Sequence, residues 1–156
     1  MSFTLTSPIT GGAQTGFTSP TYTIAVDTAP SNTGKQYAVT AIGGTQAGVD
    51  AASSPSKPFT VTLSRPPVLR ALSVLDPVTG VLRSVPRNSF VINVRKGVTP
   101  LAGQAPVVLL AKLTIDVPAG ADLADAANIR AAMSLLIGSL NSISASIGDT
   151  LVTGVI

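Results

Sequence analysis

The stretch RNSFVINVRK, residues 87 to 96, carries hydrogen-bonding and cationic side chains at alternating positions. In an extended strand successive side chains point to opposite faces, so Arg87, Ser89, Val91, Asn93 and Arg95 share one face and Asn88, Phe90, Ile92, Val94 and Lys96 the other. Four of the first five donate hydrogen bonds, and the guanidinium groups of Arg87 and Arg95 suit bidentate contacts with phosphate oxygens. Thr60, Thr62 and Ser64, alternating with Phe59, Val61 and Leu63, form a second polar row, and Lys112 and Thr114 a third. If the three strands are neighbours, the combined surface can hold RNA by its phosphates and receive unstacked bases among its hydroxyls and amides. Alternation alone fits an ordinary solvated sheet face equally well. A register slip of one residue would exchange the inward set for Asn88 and Lys96.

Charge favours a polyanion. Residues 57 to 112 hold Lys57, Arg65, Arg70, Arg83, Arg87, Arg95, Lys96 and Lys112 against Asp76 alone, net +7, whereas residues 1 to 56 carry net −1 and residues 113 to 156 net −3. One sign gathered on one stretch is the footprint expected for a nucleic-acid partner. Few aromatic residues are available to stack on bases, which argues against a high-affinity single-strand platform.

Other chemistry is poorly supplied. The 156 residues include no histidine, glutamate, cysteine or tryptophan, which removes His-based triads, HExxH zinc sites, thiolate metal sites and paired-glutamate hydrolases. The seven aspartates are scattered near turns and helix starts, where capping is their ordinary role. GKQY lacks the spacing of a phosphate-binding loop, and GGAQTG precedes a strand pattern rather than a helix. The expectation is a non-enzymatic protein with no cofactor, metal or small-molecule substrate. No apolar run reaches the ~20 residues that span a bilayer, and the first basic residue is Lys35, so no signal-peptide n-region is evident and no membrane partner is expected.

The elements that position these residues follow from periodicity. One domain, 1–156, is expected from the length, divided into N-terminal strands and a hairpin (1–56), the basic sheet strands (57–117) and C-terminal helices with a tail (118–156). FTLTSPI (3–9), TYTIAVD (21–27), KQYAVTAI (35–42), PFTVTLSR (58–65), 87–96 and VVLLAKLTIDV (107–117) read as strands, the last central because it is the most apolar. The segment 68–86, turning at DPVTG, reads as a hairpin extension. After Pro118 the period becomes helical, with Asp122 or Asp125 as cap and Leu123, Ala126, Ile129, Met133, Leu136, Ile137 and Leu140 on one stripe. Gly138 is expected to break this helix and Gly148 to end a second. The fold class is therefore α+β: an antiparallel sheet of about six strands, then two helices. Helices so short cover such a sheet poorly from within one chain. With 45% hydrophobic and only 11% charged residues, self-association is expected, a partner's helices lying across the sheet.

In this order the chain resembles the coat proteins of single-stranded RNA bacteriophages, the leviviruses. The likeness runs through APVVLLAKLTIDVPAGADLADAANIRAAMSLLIGSL, similar to that family's last strand, turn and first helix, and SISASIGDTLVTGVI, similar to its second helix and tail. APSNTGKQYAVTAI, FTVTLSRP and NSFVINVRKG are similar to earlier strands. The resemblance implies a homodimer whose sheets join edge to edge and whose helices cross the partner's sheet. Such dimers would assemble in the bacterial cytoplasm into an icosahedral virion shell around genomic single-stranded RNA. It places Thr60, Thr62, Ser64, Ser89, Asn93, Arg95, Lys112 and Thr114 on the interior, RNA-binding face, which Arg87 joins by alternation and where the family also binds a hairpin that represses replicase translation. It assigns the loop 97–106 to contacts at symmetry axes. Residues 66–86 are longer than the matching connection in the family. A different self-assembling β-rich phage protein, of tail or decoration type, or an adhesin module, is the alternative reading.

Overall fold

The computed structural model describes residues 3–156. Six antiparallel strands form one meander, each paired only with its neighbours in sequence: β1 (Ile9–Thr10), β2 (Thr18–Asp27), β3 (Gly34–Thr45), β4 (Phe59–Ser64), β5 (Arg87–Val98) and β6 (Val107–Pro118). A one-turn helix α1 (Ala121–Ala124) leads into α2 (Ala126–Ser142) and α3 (Ser144–Thr153). The expected α+β class, strand count and order of strands before helices are all found.

The core lies on one face of the sheet, built from the apolar half of each alternating strand. Ile24, Tyr37, Val39 and Leu63 are buried there, with Tyr22, Phe59, Val61 and Ile92 packed around them. Tyr22 and Phe59 meet edge to face, ring centres 5.6 Å apart, the arrangement the ring quadrupoles favour. Leu5 and Ile9 pack onto this cluster from the N-terminal segment. That segment is the first correction: residues 3–8 form no strand, and only Ile9 and Thr10 pair, with Tyr22 and Thr21. This segment instead serves as a strap whose Leu5 lies on the sheet.

Three further expectations change. DPVTG does turn, with Gly80 N–H donating to Asp76 O at 2.8 Å and Asp76 N–H to Val81 O at 3.1 Å, but no strands flank it. Pro66, Pro67 and Pro86 lack the donors a ladder needs, and the Asn88 side chain engages both backbone groups of Arg70. Next, β6 is an edge strand, paired with β5 alone, and Val107 to Leu110 are exposed. A long apolar edge is normally avoided, because its free N–H and C=O groups recruit other strands.

Finally, Gly138 lies inside α2 and Gly148 inside α3; the break falls at Ile143, where the two helices bend by 62°. Gly148 is needed for approach rather than termination: a Cβ there would collide with Gln14, whose Nε2 donates to Ser144 O at 2.8 Å. The left-handed glycine that ends α3 is Gly154, φ 74°. Asp125 is the N-cap residue of α2, yet its carboxylate accepts from Asn128 Nδ2 at 2.8 and 2.9 Å rather than from the backbone.

No helix residue is buried, and none belongs to the core cluster. Ala126, Ile129, Met133 and Leu136 are half-buried on one stripe of α2, and Ile129 and Met133 share a crevice of about 310 Å³ with Ile115 and Val117 at the end of β6. Leu135, Ile137, Leu140 and Leu151 are exposed. No single helix among the described residues is long and apolar enough to cross a membrane.

Candidate nucleic-acid interface

Register decides which side chains share a face, because residues paired across an antiparallel ladder point the same way. Thr60 pairs with Ala38 on one side and Arg95 on the other, and Arg95 with Leu110. One step along, Gln36, Thr62, Asn93 and Lys112 form a continuous row, and next come Gly34, Ser64, Val91 and Thr114. The β5–β6 ladder then continues through Ser89 with Asp116 to Arg87 with Pro118. All nine residues singled out from the sequence therefore lie on one face, opposite the core.

The alternative pair lies on the other face. Asn88 is buried and Lys96 sits 4.1 Å above the ring centre of Phe59, its Nζ donating to Asp50 O at 2.8 Å. Burial pushes the Lys96 pKa down, against the pull of Asp50.

Exposure divides the polar face into a floor and a rim. Thr60 and Thr62 are buried, Ser64 and Asn93 half-buried, and Arg87, Ser89, Arg95, Lys112 and Thr114 exposed. The floor is partly wired together. Thr62 Oγ1 donates to Gln36 Oε1 at 2.8 Å, and Gln36 Nε2 donates to Asp27 Oδ2 at 2.7 Å. That amide bond, with the N–H of Thr28, holds the Asp27 carboxyl below the usual carboxylate range. Thr60 Oγ1 and Asn93 Oδ1 are different: both are buried and have no hydrogen-bond partner among the described residues. Burying a polar atom unpaired is costly, so two such atoms on one face mark where an incoming donor or acceptor gains most. Thr60 opens into a crevice of about 360 Å³ shared with Asp27, Gln36, Ser53 and Arg95.

Gln36, Asp27 and Asp116 belong to the site and were not singled out from the sequence. Finding the first two requires the β3–β4 and β2–β3 registers, which KQYAVTAI does not encode by itself. Asp116 accepts a short hydrogen bond from Ser89 Oγ and shares a crevice with Arg87, placing a negative charge at the Arg87 end. Arg95 and Lys112 take part in no salt bridge among the described residues, where the ion pairs are Lys57–Asp50 and Arg83–Asp76. No group of histidine, cysteine, aspartate or glutamate among the described residues could hold a metal ion. The face thus offers hydrogen bonds and positive charge.

No protein-family model matches the chain, and no curated protein matches it. Among solved structures it is similar to the virus-like particle of bacteriophage ESE020, with 50% identity over 99% of this chain and 100% of that one and a TM-score of 0.96. Likeness of that degree, in sequence and in backbone over both whole chains, shows that this chain belongs to the family of bacteriophage capsid proteins, structural and non-enzymatic.

Proposed function

We propose that this capsid protein is the coat subunit of a single-stranded RNA phage, acting as a homodimer that assembles into a closed icosahedral shell and holds the RNA genome on the polar face of its sheet. The observation that carries the RNA reading is the floor-and-rim arrangement of that face. Arg95 and Lys112 at the rim suit phosphates. The unpartnered Thr60 hydroxyl and Asn93 amide oxygen below them suit the edge of an unstacked base.

The dimer rests on what one chain leaves uncovered. Pairing β6 with its copy would satisfy the free edge and make β6 central. Laying α2 and α3 over the partner's sheet would cover the stripe from Ile129 to Leu140 and the apolar crevice of about 550 Å³ lined by Leu5, Tyr22, Ile24, Val39, Phe59 and Val61. The location that follows is the virion, with assembly in the host cytoplasm. Expression in bacteria tests the reading: particles tens of nanometres across should carry nuclease-protected RNA, with an absorbance ratio near that of nucleic acid. Particles without RNA would leave a β-rich phage protein that assembles without binding the genome, and a stable monomer at high concentration would defeat the proposal.

A further inference from the structure

The 65–86 segment between β4 and β5 has no regular secondary structure, yet it is tied to the rest of the chain at two points and braced within its tip. At its root Arg70 N–H donates to Asn88 Oδ1 at 2.8 Å while Asn88 Nδ2 donates to Arg70 O at 3.1 Å. Midway Leu72 lies against Gly120, where an added Cβ would come within 3.2 Å of it. At the tip the Asp76 carboxylate accepts from Val78 N–H (2.8 Å), Thr79 N–H (3.1 Å) and Arg83 Nε (2.8 Å).

An arm held this firmly would be expected to bury its apolar side chains. Instead Val74 is 93% and Val78 91% exposed, and Val68, Leu75 and Val81 are exposed beside them. Fixing a chain is opposed by entropy, and a contiguous exposed apolar patch marks an interaction site. The arm is preorganised for a contact that one chain does not make.

Charge and side-chain type indicate the occupant. From Arg65 to Pro86 the segment carries Arg65, Arg70 and Arg83 against Asp76, net +2. Residues 118–156 carry Asp122, Asp125 and Asp149 against Arg130, net −2, and expose Leu123, Leu135 and Leu151. Aliphatic valines and leucines give bases nothing to stack on, so the apolar tip suits protein rather than RNA.

We propose that the arm docks on the helical segment of another copy of this chain, joining neighbours in the assembly. The inference rests on the self-assembly proposed above but not on RNA binding. The chain has no cysteine, so Val78→Cys introduces a single thiol at an exposed position. Particles are assembled from a mixture of isotopically light and heavy subunits bearing a thiol-anchored photo-crosslinker there. Cross-links should join position 78 to peptides within 118–156, with heavy–light pairs as abundant as same-label pairs. Cross-links confined to same-label chains, to RNA, or absent altogether overturn the proposal. If the labelled variant does not assemble, hydrogen exchange of the unaltered protein decides: amides of 68–81 should exchange more slowly in nuclease-treated, RNA-free particles than in dissociated subunits, and equal rates overturn it. Failure of the unaltered chain to assemble defeats the capsid reading first; normal particles with an unprotected arm defeat this inference alone.

Discussion

Salt dependence of the RNA binding proposed for the dimer tests the polar face quantitatively. Asp116 lines the crevice of Arg87 and offsets its charge, so Arg95 and Lys112 are the cations counted against phosphates. A dimer then presents four such charges, and at ~0.7 per phosphate on single strands log K should fall with log salt at a slope of about 2.8. Raising salt from about 50 to 200 mM should weaken binding about 50-fold. Lys112→Gln leaves two charges per dimer, which lowers the slope to about 1.4 and the loss over the same range to about 7-fold. Lys35→Gln is the control, because Lys35 pairs with Leu63 on the opposite face, and the slope should not change. Fluorescence anisotropy of a labelled RNA at fixed pH reads both quantities. If Lys112→Gln, folded by circular dichroism, keeps the unaltered slope, or if Lys35→Gln lowers it as much, this face is not where the phosphates lie.

Three other outcomes follow from the geometry. Ile137→Asp puts a carboxylate on the α2 stripe at a residue that one chain leaves exposed; losing about 1.5–3 kcal/mol of burial from each copy should raise the dimer dissociation constant more than ~100-fold by sedimentation, and an unchanged constant would count against the crossed helices. The Asp76 carboxyl is held below its ordinary value first by Val78 N–H, then by Thr79 N–H and Arg83. Its stabilising effect on the arm tip is therefore complete above the unfolded pKa of about 3.9 and is lost as pH falls through the lower folded value. The amide shifts of Val78 and Thr79 should titrate below about pH 3.9, and a midpoint above it would contradict the assignment. Gly97→Ala would bring a Cβ within 2.6 Å of Lys57 Cα; overpacking of this kind should cost about 1–3 kcal/mol in urea unfolding, and an unaltered midpoint would show that the loop yields freely.

The strands that carry the site were legible because they alternate: Phe59 to Ser64 strictly separates apolar from polar residues, Ser89 to Arg95 does so apart from Val91, and both pair as those patterns require. Alternation leaves open which face of each strand joins which. Only the pairing of Thr60 with Arg95 and of Asn93 with Lys112 brings the polar rows together. Where reading failed, a long-range contact overrode a local signal. Residues 3–8 have strand-forming types but serve as a strap, since Leu5 packs on the core instead of pairing. Residues 68–86 have paired apolar runs around a good turn, but flanking prolines and the Asn88 side chain take the place of a ladder. Gly138 and Gly148 look like helix breaks, whereas one faces open space and the other admits Gln14. The apolar character of β6 suggested a central strand; in one chain it is an edge, and the two agree only if a second copy completes the sheet.

Electron cryomicroscopy of particles from the expressed protein decides between these arrangements, because it reports both the pairing of copies and the direction each face points. Closed shells of dimers paired along β6 are expected, with Thr60, Asn93, Arg95 and Lys112 facing the interior against RNA density. Shells with that face outward, or with RNA density against the helices and none on the sheet, would contradict it.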